Sequence, residues 1–282
     1  TTRLVGSEMC IRDREIGGSM AIQNWKDFLT PYDQAVSELK VKLRSIRKEF
    51  RRKNEYSPIE FVTGRVKEVS SILEKANKYS IPVDRIQYEM EDIAGIRIMC
   101  QFVDDIDTVV NIIRNRKDMQ VLYEKDYVSN VKPSGYRSYH VVIRYPINMA
   151  DGQKDILAEF QIRTLAMNFW ATIEHSLNYK YKKNLPKDIQ FKLKRAADAA
   201  FTLDEEMLEI KDEIKDAQTL FEVKSDIISS IMNSILNLIS IGKVAEASRY
   251  QISLNKLIEE GEVWELNNLL RAVQRDIDKY NV

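Results

Sequence analysis

The stretch "DILAEFQIR", residues 155–163, predicts a β-strand with two unlike faces. The side chains of a strand point alternately to its two sides, so this sequence separates into a mainly polar set and an apolar set. The polar set is Leu157, Glu159, Gln161 and Arg163, and the apolar set is Ile156, Ala158, Phe160 and Ile162. Because burial of unpartnered polar groups costs free energy, we expect the polar face to line a cleft.

The surrounding sequence predicts an α+β fold, a mixed β-sheet of about five strands flanked by helices. Strand patterns cover residues 94–102, 119–128 and 139–147. Helical periodicity begins near residue 31 and recurs over about 66–79, after 104, over 165–181 and over about 187–224. Residues 55–67 are predicted to be a short connection, because Pro58 and Gly64 favour turns.

Three regions are predicted along the chain. Residues 1–19 lack sustained periodicity and precede Met20, so we expect a non-native or disordered leader. Residues 20–224 form the main domain. Residues 225–282 form a helical C-terminal extension, interrupted at Gly242 and Gly261, which either packs on itself and the core or adds a module for oligomerisation or partner binding.

Composition excludes some classes of protein and names no partner. Lysine plus arginine and aspartate plus glutamate both number 43, so any charged site must come from local clustering. No apolar run approaches the roughly 20 residues of a membrane span. The two cysteines, Cys10 and Cys100, lie far apart and are typical of reduced thiols in a cytoplasmic protein.

The heptapeptide "SGYRSYH", residues 134–140, groups side chains that stack, donate hydrogen bonds and carry charge. Strand alternation directs Tyr136, Ser138 and His140 to one face. An aromatic ring there offers a surface for a nucleobase, and His140 can donate a hydrogen bond to an anion. Half-buried residues of an ordinary sheet would give the same pattern, so the heptapeptide alone leaves both interpretations open.

Two carboxylates stand among basic residues on elements that could converge. Asp92 precedes one predicted strand, and Glu159 lies within another. Magnesium binds to one or two carboxylates together with polyphosphate oxygens, which suggests metal-assisted phosphoryl chemistry. The nearby basic residues are Arg65, Lys67, Arg97, Lys132 and Arg163. Surface ion pairs would produce the same set, so both possibilities remain at this point.

Several established site types are missing from the sequence. There is no GxxxxGK[ST] loop, no GxGxxG motif after a strand, and no cysteine and histidine set for structural zinc. The first predicted helix has a basic face that includes Lys40 and Arg44. That face is either solvated or a surface for an anion or a nucleic acid.

Five motifs in order resemble the small alarmone synthetases of the RelA/SpoT superfamily, most closely their stand-alone, homotetrameric class. They are "FVTGRVK", "EDIAGIRIMCQF", "SGYRSYHVVI", "AEFQIRTLAMNFWATIEHSLNYKYK" and "LDEEM", within residues 25–218. The resemblance implies transfer of the β,γ-pyrophosphate of ATP to the 3′-hydroxyl of GDP or GTP. The products are AMP and ppGpp or pppGpp, made for the bacterial stringent response. It further implies Mg²⁺ held by Asp92 and Glu159, with Glu159 accepting the proton of the attacking hydroxyl.

The resemblance also implies roles for residues that contact the two nucleotides. Arg65 and Arg97 would sandwich the adenine ring, and the ATP phosphates would contact Lys67, Ser71 and Lys75. For the acceptor, Tyr136 would stack on guanine with Asn168 near the base. Lys132 and His140 would lie near the acceptor phosphates.

A regulatory site is implied as well. Lys40, Arg44, Phe61 and Thr63 match an intersubunit cleft in which this class binds (p)ppGpp as an allosteric activator. Two other functions stay open: a receptor for a nucleotide or single-stranded RNA on the same scaffold, and a different nucleotidyltransferase. Retention of both carboxylates favours an enzyme over a receptor. The absence of a paired Asp-x-Asp strand motif disfavours a polymerase-like transferase.

Overall fold

The computed structural model describes residue 22, residues 24–181 and residues 185–279, so the predicted leader lies outside the described residues. The chain divides into two compact units, which join between Glu206 and Met207. The predicted limit of the main domain at residue 224 is not tested by this division and stays a prediction.

The first unit contains a five-stranded sheet in the order β1-β2-β5-β4-β3. Its elements are α1 (Trp25–Arg52), β1 (Phe61–Val66), α2 (Val69–Lys78), a 3₁₀ turn (Val83–Arg85), α3 (Ile86–Glu89), β2 (Ala94–Cys100), α4 (Asp104–Arg114), β3 (Gln120–Asp126), β4 (Tyr139–Met149), β5 (Gly152–Thr164), α5 (Leu165–Lys180) and the start of α6 (Lys187–Ser240). Only β2 and β5 pair in parallel. The predicted α+β class with a mixed sheet is confirmed.

The first helix begins six residues before Pro31, where its periodicity was predicted to start. Asn24 caps the helix, because its side-chain oxygen accepts hydrogen bonds from the backbone N–H groups of Lys26 and Asp27 at 3.0 and 3.3 Å. Proline is tolerated in a first turn, but Pro31 lies inside this helix and is buried. The cap, and not the proline, sets the start of α1.

The prediction of a connection over residues 55–67 was wrong, because the segment contains β1. Val62 pairs with Ile98 in the adjacent antiparallel strand and is buried. A Cβ atom on Gly64 would lie 2.8 Å from Ile96 Cδ1 and 2.9 Å from Val36 Cγ1. Gly64 therefore allows β1, β2 and α1 to pack closely, and it does not form a turn.

The sheet has one apolar face and one polar face, as the alternation in residues 155–163 predicts. Ala158, Phe160 and Ile162 of β5 are fully buried. Their cluster includes Leu39 from α1 and Val109 from α4. The opposite face carries the polar side chains of β1, β2, β4 and β5, and α5 contacts β5 and β2. The apolar core thus leaves a polar face available for a site.

The last residue of β5, Thr164, fixes the start of α5. Thr164 Oγ1 accepts a hydrogen bond from the Met167 backbone N–H at 3.0 Å and donates one to Asp204 Oδ2 at 2.6 Å. Trp170 Nε1 donates to the Leu193 carbonyl at 2.7 Å. These bonds join β5 and α5 to the N-terminal part of α6, which holds α5 against the sheet.

The second unit is helical, as predicted for the C-terminal extension. It contains the rest of α6, α7 (Val244–Glu260) and α8 (Val263–Asp278). Ile231 and Ile235 of the predicted isoleucine stripe are buried in its core. The prediction that the long helix ends at residue 224 was wrong, because no helix breaker occurs before Gly242, which has φ +81°. Within the described residues, no helix is long and apolar enough to cross a membrane.

Candidate active site

The register of three adjacent strands brings the two predicted catalytic carboxylates to one cavity. Arg65 of β1 pairs with Gly95 of β2, and Gly95 pairs with Glu159 of β5. The cavity, about 220 Å³, is lined by Thr63, Gly64, Arg65, Lys67, Asp92, Gly95, Arg97, Glu159 and Gln161. A Cβ atom on Gly95 would lie 3.8 Å from the Arg65 carbonyl oxygen, an ordinary contact distance, so it would occupy space that glycine leaves open in the cavity. We name this the carboxylate cavity.

Asp92 lies in the loop before β2, between two lysines. Its Oδ2 accepts a hydrogen bond from Lys67 Nζ at 2.8 Å, and its Oδ1 forms an ion pair with Lys75 Nζ at 2.9 Å. Burial acts to raise the pKa of Asp92, but hydrogen bonding and charge from Lys67 and Lys75 outweigh it and lower the pKa below its ordinary value. Asp92 is therefore ionised at neutral pH. Ser71, also predicted at the ATP phosphates, is half-buried in the first turn of α2.

Glu159 is held at both carboxylate oxygens. His140 Nδ1 lies 2.8 Å from Oε1, and Gln161 Nε2 donates to Oε2 at 2.8 Å. Burial acts to raise the pKa of Glu159, and the nearby Asp92 does so to a smaller degree. The hydrogen bonds and charge from His140, with the bond from Gln161, outweigh them and lower it. Glu159 is thus a fixed anion in the same cavity as Asp92.

The heptapeptide forms a closed hydrogen-bond network. Tyr136 Oη lies 2.8 Å from His140 Nε2 and accepts a hydrogen bond from Arg163 Nη2 at 2.6 Å. Arg163 also donates to Ser138 Oγ at 3.1 Å and to Gln161 Oε1 at 2.9 Å. Both ring nitrogens of His140 therefore already have protein partners. The predicted contact of His140 with acceptor phosphates would require one of these to be exchanged.

Lys132 lies over two aromatic rings beside this network. Its Nζ is 4.7 Å from the Tyr136 ring centroid and 4.2 Å from that of Tyr127. Burial lowers the pKa of Lys132, and this outweighs the attraction of Glu159, which acts to raise it. One face of the Tyr136 ring thus meets a cation. Asn168, predicted near the acceptor base, has a buried Oδ1 with no hydrogen-bond partner among the residues that the structure describes.

Arg65 and Arg97 also border a second cavity of about 430 Å³, which we name the guanidinium cavity. It is lined by Arg65, Arg97, Arg163, Ala171, Thr172, His175 and Ser176. Burial lowers the pKa of Arg97, and the positive charges of Arg163 and Arg65 lower it further. A cavity with three guanidinium groups favours an anionic or π-electron-rich ligand.

The four residues predicted for regulation meet at the edge strand β1. Arg44 Nη2 of α1 donates to the Val62 carbonyl at 3.0 Å. The Lys40 side chain lies near Gly64, on the face of β1 that packs against α1. Strand alternation puts the exposed Phe61 and Thr63 on the other face. In the described part of one chain, all four residues therefore lie at β1. Lys40 and Arg44 are on the side of α1, and Phe61 and Thr63 are on the opposite face of the strand.

Sequence reasoning assigned no role to several residues that line the site. The sequence does indicate that Gln161 and Arg163 belong to the site, because they follow Glu159 at every second residue on the predicted polar face. Thr172, His175 and Ser176 had a weaker signal, a three- and four-residue spacing on a predicted helix. That spacing does not show which side of α5 meets the sheet.

Comparisons with known proteins agree with this geometry. Residues 64–184 match the region found in RelA / SpoT proteins. GTP pyrophosphokinase YjbM of Bacillus subtilis is 57% identical over 202 residues, 72% of this chain and 95% of that protein. GTP pyrophosphokinase YwaC of the same organism is 39% identical over 195 residues, 68% of this chain and 93% of that protein.

Solved structures give the same answer for the fold. The crystal structure of small alarmone synthetase 1 from Bacillus subtilis bound to its product pppGpp matches with a TM-score of 0.66 and 58% identity, over 67% of this chain and 97% of that one. A GTP pyrophosphokinase family protein from Streptococcus pneumoniae matches with a TM-score of 0.67 and 55% identity, over 71% and 98%. The chain belongs to the RelA/SpoT family, as a small alarmone synthetase. The family resemblance stated from the motifs is confirmed.

Proposed function

We propose that this GTP pyrophosphokinase transfers the β,γ-pyrophosphate of ATP to the 3′-hydroxyl of GDP or GTP. The products are AMP and ppGpp or pppGpp, the nucleotides of the bacterial stringent response, made in the cytoplasm where these substrates occur. The observation that carries this proposal is that Asp92 and Glu159 line one cavity, with arginines on one side and the Tyr136 network on the other.

The carboxylate cavity fits Mg²⁺ as a cofactor. It offers two ionised carboxylates, and Mg²⁺ binds through one or two carboxylates and completes its shell with phosphate oxygens and water. Asp92 and Glu159 would hold the ion, which supplies charge neutralisation to the transferred phosphates when bound. No group of three acidic, histidine or cysteine side chains suited to a metal occurs among the described residues, which is consistent with an ion whose shell is completed by phosphate oxygens and water.

Donor phosphates would bind beside Asp92. Lys67 and Lys75 both contact Asp92 in the free protein, and each lysine can exchange that carboxylate for a phosphate oxygen. Ser71 lies in the first turn of α2 between them in sequence. Arg65 and Arg97 would stack on the adenine ring. Neither guanidinium group has a hydrogen bond or ion pair with any residue that the structure describes, so both are available to a ligand.

The acceptor would bind on the Tyr136 side. Glu159 is ionised and fixed by His140 and Gln161, so it can take the proton of the 3′-hydroxyl without first rearranging. Tyr136 would stack on guanine through its ring, with Lys132 directed to phosphates. The buried, unpartnered Oδ1 of Asn168 is suited to accept a hydrogen bond from guanine. Alignment of two nucleotides and neutralisation of charge supply most of the catalysis in such a transfer.

Regulation by product would occur in a homotetramer. Lys40 and Arg44 supply positive charge at β1, Phe61 and Thr63 are exposed on its other face, and a second copy of the chain would complete the cleft. Lys40→Ala combined with Arg44→Ala should lower activation by added pppGpp several-fold and leave the basal rate within about twofold. Unchanged activation in the double variant would reject this site.

One assay tests the function and its main alternative. Protein incubated with ATP, GDP and Mg²⁺ should yield AMP and a more highly charged guanosine nucleotide, resolved by anion exchange. ATP turnover without GDP, or none, would contradict the proposal. A receptor for a nucleotide or for single-stranded RNA would bind these ligands in titrations but form no product.

A further inference from the structure

We propose that Thr172 is a specificity-determining residue that selects adenine over guanine in the donor nucleotide. The inference rests on the proposed function, since it concerns the base of the nucleotide whose phosphates bind beside Asp92. Thr172 lies on the wall of the guanidinium cavity that α5 supplies, and none of the predicted residue roles involves that wall.

The two cavities form one path for a ligand. Arg65 and Arg97 line both of them, so the guanidinium cavity begins where the carboxylate cavity ends. A nucleoside triphosphate with its phosphates at Lys67 and Asp92 extends past these two arginines. Its base then reaches the guanidinium cavity, whose volume of about 430 Å³ suits a ligand group of that size.

The side chains on the sheet side of the guanidinium cavity are hydrogen-bond donors alone. Arg65, Arg97 and Arg163 carry guanidinium groups, which donate and cannot accept. They favour the π faces and ring nitrogens of any purine. Adenine and guanine are alike in those respects, so the arginines by themselves discriminate weakly between the two bases.

Thr172 on the α5 side supplies an acceptor. Its Oγ1 donates its proton to the Asn168 carbonyl at 2.8 Å, so its remaining capacity is to accept. Adenine carries an amino donor at position 6, where guanine carries a carbonyl acceptor. A hydrogen bond from the amino group to Thr172 therefore stabilises adenine, and guanine would bring two acceptors together.

The neighbouring polar residues of α5 do not discriminate in this way. Ser176 has an exposed hydroxyl with no partner among the described residues, so it can rotate to donate or to accept. His175 can likewise present a donor or an acceptor, depending on its tautomer. Thr172 alone among the three has its donor already committed.

The test compares two donor nucleotides in Thr172→Val, which keeps the shape and removes the acceptor. The donors are ATP and purine riboside triphosphate, which lacks the 6-amino group. We expect kcat/KM for ATP to fall about 10-fold and that for purine riboside triphosphate to change less than about twofold. Thr172→Ser should retain the preference, and Ser176→Ala should leave the ratio between the two donors unchanged.

Equal losses for both donors, or no loss for ATP, would overturn the role of Thr172. Circular dichroism of each variant shows whether the fold is retained, and the Thr172→Ser result shows whether loss of the hydroxyl is the cause. If wild-type protein makes no guanosine product from ATP and GDP, the proposed function fails. If it does make the product but Thr172→Val keeps its donor preference, the inference fails alone.

Discussion

The donor side and the acceptor side of the cleft are organised differently. On the donor side, the guanidinium groups of Arg65 and Arg97 have no hydrogen-bond or ion-pair partner among the described residues, and Lys67 is paired with Asp92, a carboxylate that a metal would bind. On the acceptor side, Tyr136 and His140 belong to a network in which each polar group already has a protein partner. The donor side is thus a set of available charges, whereas the acceptor side is a rigid frame around Glu159.

The two sides should therefore contribute differently, the donor side to binding energy and the acceptor side to positioning of the reacting groups. Unpaired, partly buried cations gain most when a triphosphate arrives, because it supplies the charge that the protein lacks. A network that is already satisfied gains little binding energy, but it holds the reacting carboxylate in place before the acceptor arrives. Substitutions on the donor side should therefore act mainly on affinity, and loss of hydrogen bonds within the network mainly on turnover.

The largest expected effect is on turnover, from Glu159→Gln. This change keeps the shape and removes the charge and the proton acceptor, so kcat should fall by about 1000-fold or more while both nucleotides still bind. Rates from anion-exchange assays and affinities from calorimetry check both parts. Asp155→Asn, an exposed carboxylate on the same strand, is the matched control and should leave kcat unchanged. Substantial residual turnover in Glu159→Gln would remove this residue from the essential set.

Two changes at Tyr136 separate stacking from positioning. Tyr136→Ala removes the ring and should weaken GDP binding about 10- to 100-fold, with a much smaller effect on ATP. Tyr136→Phe keeps the ring but loses the hydroxyl contacts with His140 and Arg163, so it should lower kcat more than it weakens GDP. Equal weakening of ATP and GDP in the alanine variant would contradict the stacking role.

A pair of glycines on the donor side should separate stability from activity. Gly64→Ala places a methyl group within 3 Å of Ile96 and Val36, so it should lower the free energy of unfolding by about 1–3 kcal/mol. A Cβ atom in Gly95→Ala would lie 3.8 Å from the Arg65 carbonyl oxygen, so stability should be nearly unchanged, while the methyl group narrows the carboxylate cavity and raises KM for ATP. Denaturant titration and steady-state rates measure the two effects. A stable Gly64→Ala variant would show that this packing can adjust.

The smallest expected effect concerns Asp204, outside the cleft. Burial, the largest cause, raises the pKa of Asp204 to about 6, against partial opposition from Thr164 and Arg137. Between pH 4 and 6 the folded state keeps a proton that the unfolded state loses, so the free energy of unfolding falls as pH rises. Relative to Asp204→Asn, wild-type protein should lose about 1 kcal/mol across this range. Asp198→Asn is the control, and a pH-independent difference between wild type and Asp204→Asn would reject the raised pKa.

The sheet and the two carboxylates of the cavity could be predicted from the sequence, because strand alternation and the family motifs are both patterns along the chain. The polar stripe of β5 repeats every second residue, so Glu159, Gln161 and Arg163 could be placed on one face before any contact was known. The family motifs then connected Glu159 with Asp92. No local pattern shows that Lys67 and Lys75 meet at Asp92, because that contact depends on the register of β1 with β2 and on the position of α2.

The errors also have physical causes. Gly64 was interpreted as a turn because glycine is common there, whereas tight packing of α1 on β1 is a tertiary property. The continuation of α6 to Ser240 was missed because a change in apolar spacing near residue 225 resembles an end, although nothing there breaks a helix. The α5 wall was missed because helical spacing alone does not show which side of a helix faces the sheet.

Manganese binding tests the central claim most directly, because Mn²⁺ replaces Mg²⁺ and is visible by electron paramagnetic resonance. With a non-hydrolysable ATP analogue present, wild-type protein should bind one Mn²⁺ per site, and Asp92→Asn and Glu159→Gln should each weaken it about 10-fold or more. Wild-type affinity in either variant would show that the two carboxylates do not share one ion, which would contradict the account.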